Sequence, residues 1–368
     1  MKVAFLAGLN VIHTIRWANV FAEHGHDVHV ICMHPHNGDP LCQGVKVHML
    51  PFKAPAGYYL NLFAIKALLK QIKPDVLNAH YASGYGTLAR LSGYHPLVLS
   101  VWGSDVYDFP YESRVKMSII QKNLDAADII CSTSEVMKVQ TKSLLLRPKE
   151  IFVTPFGIDT EKFTPKKNFS PEVKVIGTVK TLAPKYGIST LIKAFAIVLD
   201  KVGHDASLKL VIAGGGPQRN ELERLAAELN VFDKCEFLGK IPHEKVPEVL
   251  HSFDIYVALS ESESESFGVA ILEASACALP VVVSDAGGLP EVVDNGVTGV
   301  VVPRHNPEAA AEAILDIIKS PNNRVNYGKK GVERVKTIYS WEMCYKKMLD
   351  IYLIACGKLR KLPHDLAI

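Results

Sequence analysis

Short apolar runs dominated by valine, isoleucine, leucine and alanine recur along this chain, at residues 3–7, 28–31, 97–101, 208–213 and 281–283 among others. Between them lie segments whose apolar residues repeat at helical spacing, such as Leu191, Ile192, Phe195 and Leu199. A strand that is apolar throughout must be covered on both faces, and the helices that alternate with it supply the cover. The pattern therefore dictates an α/β chain built of parallel sheets wrapped in helices. In such sheets ligands gather at the carboxyl ends of the strands, so the turns that follow each run are the places to look for chemistry.

With 368 residues the chain exceeds what one core usually holds, which predicts two domains. The stretch 164–172, TPKKNFSPE, has the composition of a linker between them. A hydrophobic content of 48% with 21% charged residues describes an ordinary globular protein, and a net charge of +3 argues against nucleic acid as a partner. Seven cysteines without a C-x-x-C pair read as apolar fillers in a reducing compartment. No apolar run reaches the length of a membrane span, and the first residues read as a strand rather than a signal peptide. The expected location is cytoplasmic. Residues 55–73 carry Leu60, Phe63, Ala64, Ala67 and Leu68 at helical spacing, with Lys66, Lys70 and Lys73 elsewhere and Tyr58 and Tyr59 at the entry. Such a basic amphipathic helix either lies peripherally on the inner face of a membrane or packs on the sheet with its lysines in water.

The densest chemistry stands at 260–290, SESESESFGVAILEASACALPVVVSDAGGLP. Glu265 and Glu273 lie eight positions apart, and a helix opening after Gly268 places Glu265 just ahead of it and Glu273 about one turn inside. The N–H groups of Ser266, Phe267, Gly268 and Val269 then face outward at the helix start, an arrangement that favours phosphate. A carboxylate at Glu273 can accept hydrogen bonds from a diol such as ribose. A nucleoside diphosphate can bridge the two.

This E-x7-E spacing, with the downstream P-V-V strand and Gly287-Gly288-Leu289-Pro290-Glu291, resembles the retaining nucleotide-sugar glycosyltransferases of family four. The resemblance implies a GT-B fold: two doubly wound, Rossmann-like α/β domains facing a central cleft. Residues 1–165 would form the acceptor side, with 341–368 packing back on it, and 166–340 the nucleotide-sugar side. It also implies a donor turn at Lys180 and Lys185, where relatives carry an arginine and a lysine at the same spacing to grip the diphosphate. The turn after 208–213, with Gly214 and Gly216, resembles the family's G-x-G-P turn. Gly239, Lys240 and Ile241 correspond to the segment that holds the nucleobase by its backbone. Glu265 would hold the donor sugar, Glu273 the ribose, and Glu291 would orient the phosphate loop. No metal or other cofactor is implied, because the lysines and the helix start stabilise the leaving diphosphate.

The first half departs from the family more often. Its opening loop carries Gly8 without a second glycine, followed by Asn10, His13 and Arg16. Arg16 either contacts an anionic group or is a surface residue. The turn Trp102-Gly103-Ser104-Asp105 resembles the family's H-G-x-D turn with Trp102 in place of the histidine. Either Trp102 stacks on a sugar or another group, with His80 a candidate, supplies the polar contact; Asp105 would meet a sugar or acceptor hydroxyl. The implied reaction moves a hexose or N-acetylhexosamine, from a UDP-sugar on family frequency, to an acceptor hydroxyl on a polyprenyl-diphosphate-linked or other cell-surface glycan precursor. A nucleotide-sugar epimerase and a non-catalytic nucleotide-sugar binding protein are the alternatives. A dehydrogenase is disfavoured, since no G-x-G-x-x-G follows the first strand.

Overall fold

The computed structural model describes the whole chain except Asn37, Asp39, residues 166–171, Asp205 and residues 363–368. Most of the linker expected at 164–172 thus lies outside the described residues. Two compact units divide the chain: Met1–Phe156 with Trp341–Ile368, and Gly157–Ser340. The division falls between Phe156 and Gly157, ahead of the boundary expected at Pro165.

The first unit holds a seven-stranded parallel sheet of β1 (Lys2–Leu6), β2 (Asp27–Cys32), β3 (Val45–Met49), β4 (Val76–His80), β5 (Leu97–Ser100), β6 (Ile129–Ser132) and β7 (Ile151–Val153). Their order is β3-β2-β1-β4-β5-β6-β7, and every pair is parallel. The second unit holds β8 (Val175–Val179), β9 (Lys209–Ala213), β10 (Cys235–Gly239), β11 (Ile255–Ala258), β12 (Val281–Ser284) and β13 (Gly299–Val302) in the order β10-β9-β8-β11-β12-β13, again all parallel. Both sheets reverse their winding at the centre, between β1 and β4 in one and between β8 and β11 in the other. The topology places the ligand-competent crevice of each unit beyond the carboxyl ends of those central strands.

The central strands are buried along their length, which is why their sequences show no polar alternation. The helix Val269–Ala276 is likewise buried on nearly every side, Glu273 included. It ends where Ala278 adopts a left-handed backbone (φ 62°) and Pro280 forbids continuation. In the first unit the C-terminal helix Trp341–Ala355 covers the sheet: Trp341 meets Trp17 edge-on at 5.0 Å, and the buried Asn78 amide donates to the Tyr352 hydroxyl at 2.8 Å.

Neither β3 nor β4 is among the apolar runs named above. β4 is buried throughout and carries His80 within the sheet. The edge strand β3 is short, largely exposed and mixes Lys and His with valine. One expectation needs correction. The helix expected over 55–73 is two pieces, Gly57–Leu60 and Leu62–Ile72, joined at Asn61. Its buried face is Ile65, Leu69 and Ile72, whereas Leu60 and Phe63 of the expected apolar stripe face outward.

Candidate functional site

The crevice of the second unit opens where β8 and β11 deliver their next residues. Lys180 immediately follows β8, and its Nζ donates to Glu265 Oε1 at 2.8 Å, with both side chains nearly buried. This ion pair therefore spans the point where the sheet reverses. The same ammonium group lies 4.8 Å from the centre of the Tyr186 ring, and Lys185 Nζ lies 5.0 Å from it. The two lysines expected at the donor turn converge on one aromatic ring, Lys180 inside and Lys185 exposed. A cation held by a carboxylate and a π-face is partly desolvated, the condition in which it acts most strongly on a second anion.

Beside the pair lies a cavity of about 570 Å³ lined by Lys180, Thr181, Tyr186, Gly214, Gly216, Lys240 and Ile241, among others. Its floor exists because glycine is there. Gly214 has φ +154°, and a Cβ on it would stand 1.8 Å from the Lys180 carbonyl oxygen; one on Gly216 would stand 2.2 Å from that of Leu182. The Gly239 carbonyl, in turn, accepts from the Gly214 N–H at 2.8 Å and ties the two glycine turns together. Close main-chain packing thus shapes the cavity wall, which also carries Lys180 and Lys240.

The two glutamates share a neighbour. Tyr256, wholly buried on β11, donates to the Val179 carbonyl at 3.3 Å; burial raises its phenol well above the usual range, and the charges of Glu273 and Glu265 add to the rise. Glu265 is also fixed through its backbone. Gly287, at φ +49°, approaches so closely that a Cβ would meet the Glu265 carbonyl oxygen at 2.3 Å, and Gly288 N–H donates to that oxygen at 2.9 Å. The glycine pair therefore serves to hold the Glu265 turn. Glu291 contributes its carbonyl, which accepts from Arg334 and from the Tyr339 hydroxyl. Ser266, Phe267 and Gly268 lead into the helix that starts at Val269; no side chain caps that start, and Phe267 is buried against Tyr339.

Glu273 brings in a residue that the sequence reading passed over. His243 Nε2 lies 2.9 Å from Glu273 Oε1, and Lys162 Nζ lies 3.2 Å from His243 Nδ1. Lysine can only donate, so Nδ1 is the acceptor and Nε2 donates to the carboxylate. The available signal was position: His243 follows Pro242 directly in the turn already assigned to the nucleobase. Tyr186, one residue after Lys185, was overlooked in the same way.

At the corresponding edge of the first unit the expected residues meet, but in another role. Asp105 is buried, and its carboxylate accepts from the backbone N–H of Ala82 at 2.7 Å, Gly103 at 2.9 Å and Trp102 at 3.1 Å. Burial raises its pKa and those N–H donors oppose the rise. Through these bonds it anchors two turns. Trp102 is only 9% exposed, with His80 at 4.2 Å and Tyr81 and Phe156 at 5.3 Å around it. His80 shares a hydrogen bond with the Thr14 hydroxyl at 3.1 Å, and burial pushes its imidazole down to about 3, which favours the neutral ring. The half-exposed imidazole here is His13, stacked on Phe156 at 3.7 Å and edge-on to Trp102 at 6.1 Å. Arg16 lies nearby in sequence on the helix Ile12–Glu23, half-buried.

Comparison with known proteins agrees with this geometry. Residues 159–334 match the family model described as glycosyl transferases group 1, and residues 2–134 the model described as glycosyl transferase 4-like. The D-inositol 3-phosphate glycosyltransferase of Corynebacterium glutamicum is 30% identical over 309 residues, which is 77% of this chain and 73% of its own. A GDP-mannose-dependent phosphatidylinositol monomannoside mannosyltransferase of Mycobacterium tuberculosis is 26% identical over 276 residues, 71% of this chain and 70% of its own. Among solved structures, Anabaena HepE in complex with UDP superimposes with a TM-score of 0.78 at 17% identity, covering 95% of this chain and 99% of that one.

Proposed function

We propose, for a chain that belongs to the group 1, family-four-like glycosyltransferases and carries their GT-B fold, a retaining transfer from a nucleoside-diphosphate sugar. The observation that carries this reading is the Lys180–Glu265 pair beside the glycine-floored cavity at the reversal of the second sheet. On donor binding, Lys180 turns to the diphosphate, Lys185 adds its charge from the solvent side, and the helix start at 266–269 adds its N–H groups. The acceptor oxygen attacks the anomeric carbon from the face the diphosphate leaves, its proton passes to the departing diphosphate oxygen, and the charge that develops on that oxygen is met by cations already in place. The new bond keeps the anomeric configuration of the old one. Glu265, released from Lys180, receives hydroxyls of the donor sugar. Glu273 accepts from the ribose diol, with His243 holding its other contacts. No step calls for a metal ion.

The donor is a UDP-linked hexose or N-acetylhexosamine. The UDP complex of HepE supports this choice of nucleotide, while the GDP-mannose dependence of the mycobacterial relative makes GDP the competitor to test. The acceptor is a hydroxyl on a phosphate-bearing or lipid-linked glycan precursor, by analogy with the phosphorylated inositols in the names of both relatives.

Calorimetry with UDP, GDP and ADP, in the presence of a chelator, tests the donor assignment. UDP is expected to bind, and Glu273→Ala to weaken it by roughly 1–3 kcal/mol, the cost of leaving a buried diol without its acceptor. Equal binding by the variant removes Glu273 from the site. Release of free UDP and an altered sugar with no acceptor present would instead identify an epimerase, and binding without any turnover a sensor of nucleotide sugars.

A further inference from the structure

From Pro40 through Pro74 the chain contains five lysines and no acidic residue. The same segment forms the edge strand β3, the loop after it and the two short helices Gly57–Leu60 and Leu62–Ile72. It also exposes large apolar side chains that a soluble surface has no use for: Val47, Met49, Phe52, Tyr59, Leu60 at 55% and Phe63 at 85%. Phe63 shares its helix face with Lys66, Ala67 and Lys70, three to seven positions on, so apolar and cationic groups project together.

These side chains stand on a fixed platform. Asn61 is fully buried, and its amide donates to the carbonyls of Phe52 at 2.8 Å and Gly57 at 2.9 Å while its oxygen accepts from Phe52 N–H at 3.1 Å. Tyr58 packs over Gly84, where a Cβ would stand 2.2 Å from its ring. The exposure of Phe52, Tyr59, Leu60 and Phe63 is therefore built in and does not come from a loose loop. Among the described ion pairs, Lys46 takes Asp27, whereas Lys53, Lys66, Lys70 and Lys73 enter none.

We propose that this face is the docking surface of the protein on an anionic lipid bilayer, with Phe63, Leu60, Tyr59 and Phe52 entering the headgroup–acyl boundary and the lysines meeting acidic headgroups. Charge decides the occupant: a second copy related by a two-fold axis would set lysine against lysine, whereas an anionic membrane neutralises them and accepts the aromatic side chains between them. Because β3 is parallel to β1, Phe52 and Lys53 lie at the same carboxyl edge of the sheet as His13 and Trp102. A docked protein holds that edge toward the bilayer. The inference rests on the first unit alone and does not depend on the donor.

The test is co-sedimentation of the full chain with vesicles of phosphatidylcholine, alone or with phosphatidylglycerol, for wild type, Phe63→Gln and the double variant Lys66→Gln/Lys70→Gln. Wild type is expected to bind only the anionic vesicles, and each variant to lose roughly tenfold or more in partitioning. The far-ultraviolet circular dichroism and thermal midpoint should stay unchanged in both, which verifies that they fold, since all three side chains are exposed. Equal binding to neutral and anionic vesicles, or wild-type partitioning by either variant, overturns the proposal. So does a dimer in sedimentation velocity that Phe63→Gln dissociates, because the face would then belong to a second copy.

Discussion

The two units carry the same architecture, a parallel sheet that reverses at its centre, yet they use the reversal differently. In the second unit the residues after the central strands are charged and gather beside a glycine-floored cavity: Lys180 on Glu265, with Lys185 and Tyr186 alongside. In the first unit the corresponding residues turn inward, where Asp105 holds three backbone N–H groups and His80 and Trp102 bury one another. One unit gathers its polar residues at a cavity. The other spends them on the turn scaffold and leaves His13 half-exposed at the rim. The lesson is that a polar residue at a strand's carboxyl end marks a site only where its hydrogen bonds are not already taken by the backbone.

The comparison breaks most readily at Lys180. Lys180→Ala removes the innermost cation and leaves Glu265 without its partner, so kcat/KM for the nucleotide-sugar donor should fall by roughly 10²–10³, the usual cost of losing one preorganised charge stabiliser. UDP affinity should fall much less, because the charge matters most when the leaving group is forming. A steady-state comparison separates the two. If affinity and turnover fall together, Lys180 binds the ground state and the leaving-group role assigned to it is wrong.

How far the sequence reaches follows the same division. The parallel sheets were legible because buried strands cannot hide their apolar runs, and a gathering of turns in the second unit was legible because glycines and lysines stand at fixed places after its strands. Lys180, Gly214, Gly216, Lys240 and Ile241, read from separate turns, line one cavity. His243 and Tyr186 escaped because each is a lone residue whose partner, Glu273 or Lys180, lies far away in sequence. On the first unit the structural roles of Asp105, His80 and Trp102 were not legible, for a physical reason. Sequence shows that a carboxylate stands in a turn, but not that three N–H groups of two turns already point at it. The helix 55–73 failed likewise: one asparagine, Asn61, breaks it, and the buried face follows Ile65, Leu69 and Ile72.

A smaller effect sharpens the contrast from the side of the first unit. His80 titrates near pH 3 when folded and near 6.5 when free, so the unfolded chain binds the extra proton between those values. Above pH 6.5 both states are neutral and His80 contributes no pH dependence. As pH falls from 6.5 toward 3, the fold loses stability through this residue at roughly 1.4 kcal/mol per pH unit. His80→Gln cannot titrate, so the difference between the denaturation free energies of wild type and variant should acquire that slope within this window and no slope above it. UDP affinity should be the same in both. A variant that keeps the wild-type slope would show that water reaches His80, and the buried scaffold described for the first unit would have to be redrawn around an open site.

The smallest effect tests the difference within the donor turn itself. Lys180 and Lys185 meet the same Tyr186 ring, but only Lys180 is desolvated and ion-paired; Lys185 stands in solvent. An exposed ammonium acts on a diphosphate through water, where one pairing contributes up to about 1 kcal/mol and salt screens it. Lys185→Gln should therefore weaken donor binding about two- to fivefold at low ionic strength, in line with that ceiling. The loss should shrink toward nothing as salt rises, whereas the Lys180→Ala defect should persist because its partner is buried with it. Lys185→Arg should restore binding, since a point charge at that position is all the geometry uses. Equal, salt-independent losses at both positions would mean that Lys185 closes down onto the donor once it binds, and that its exposure belongs to the empty site alone.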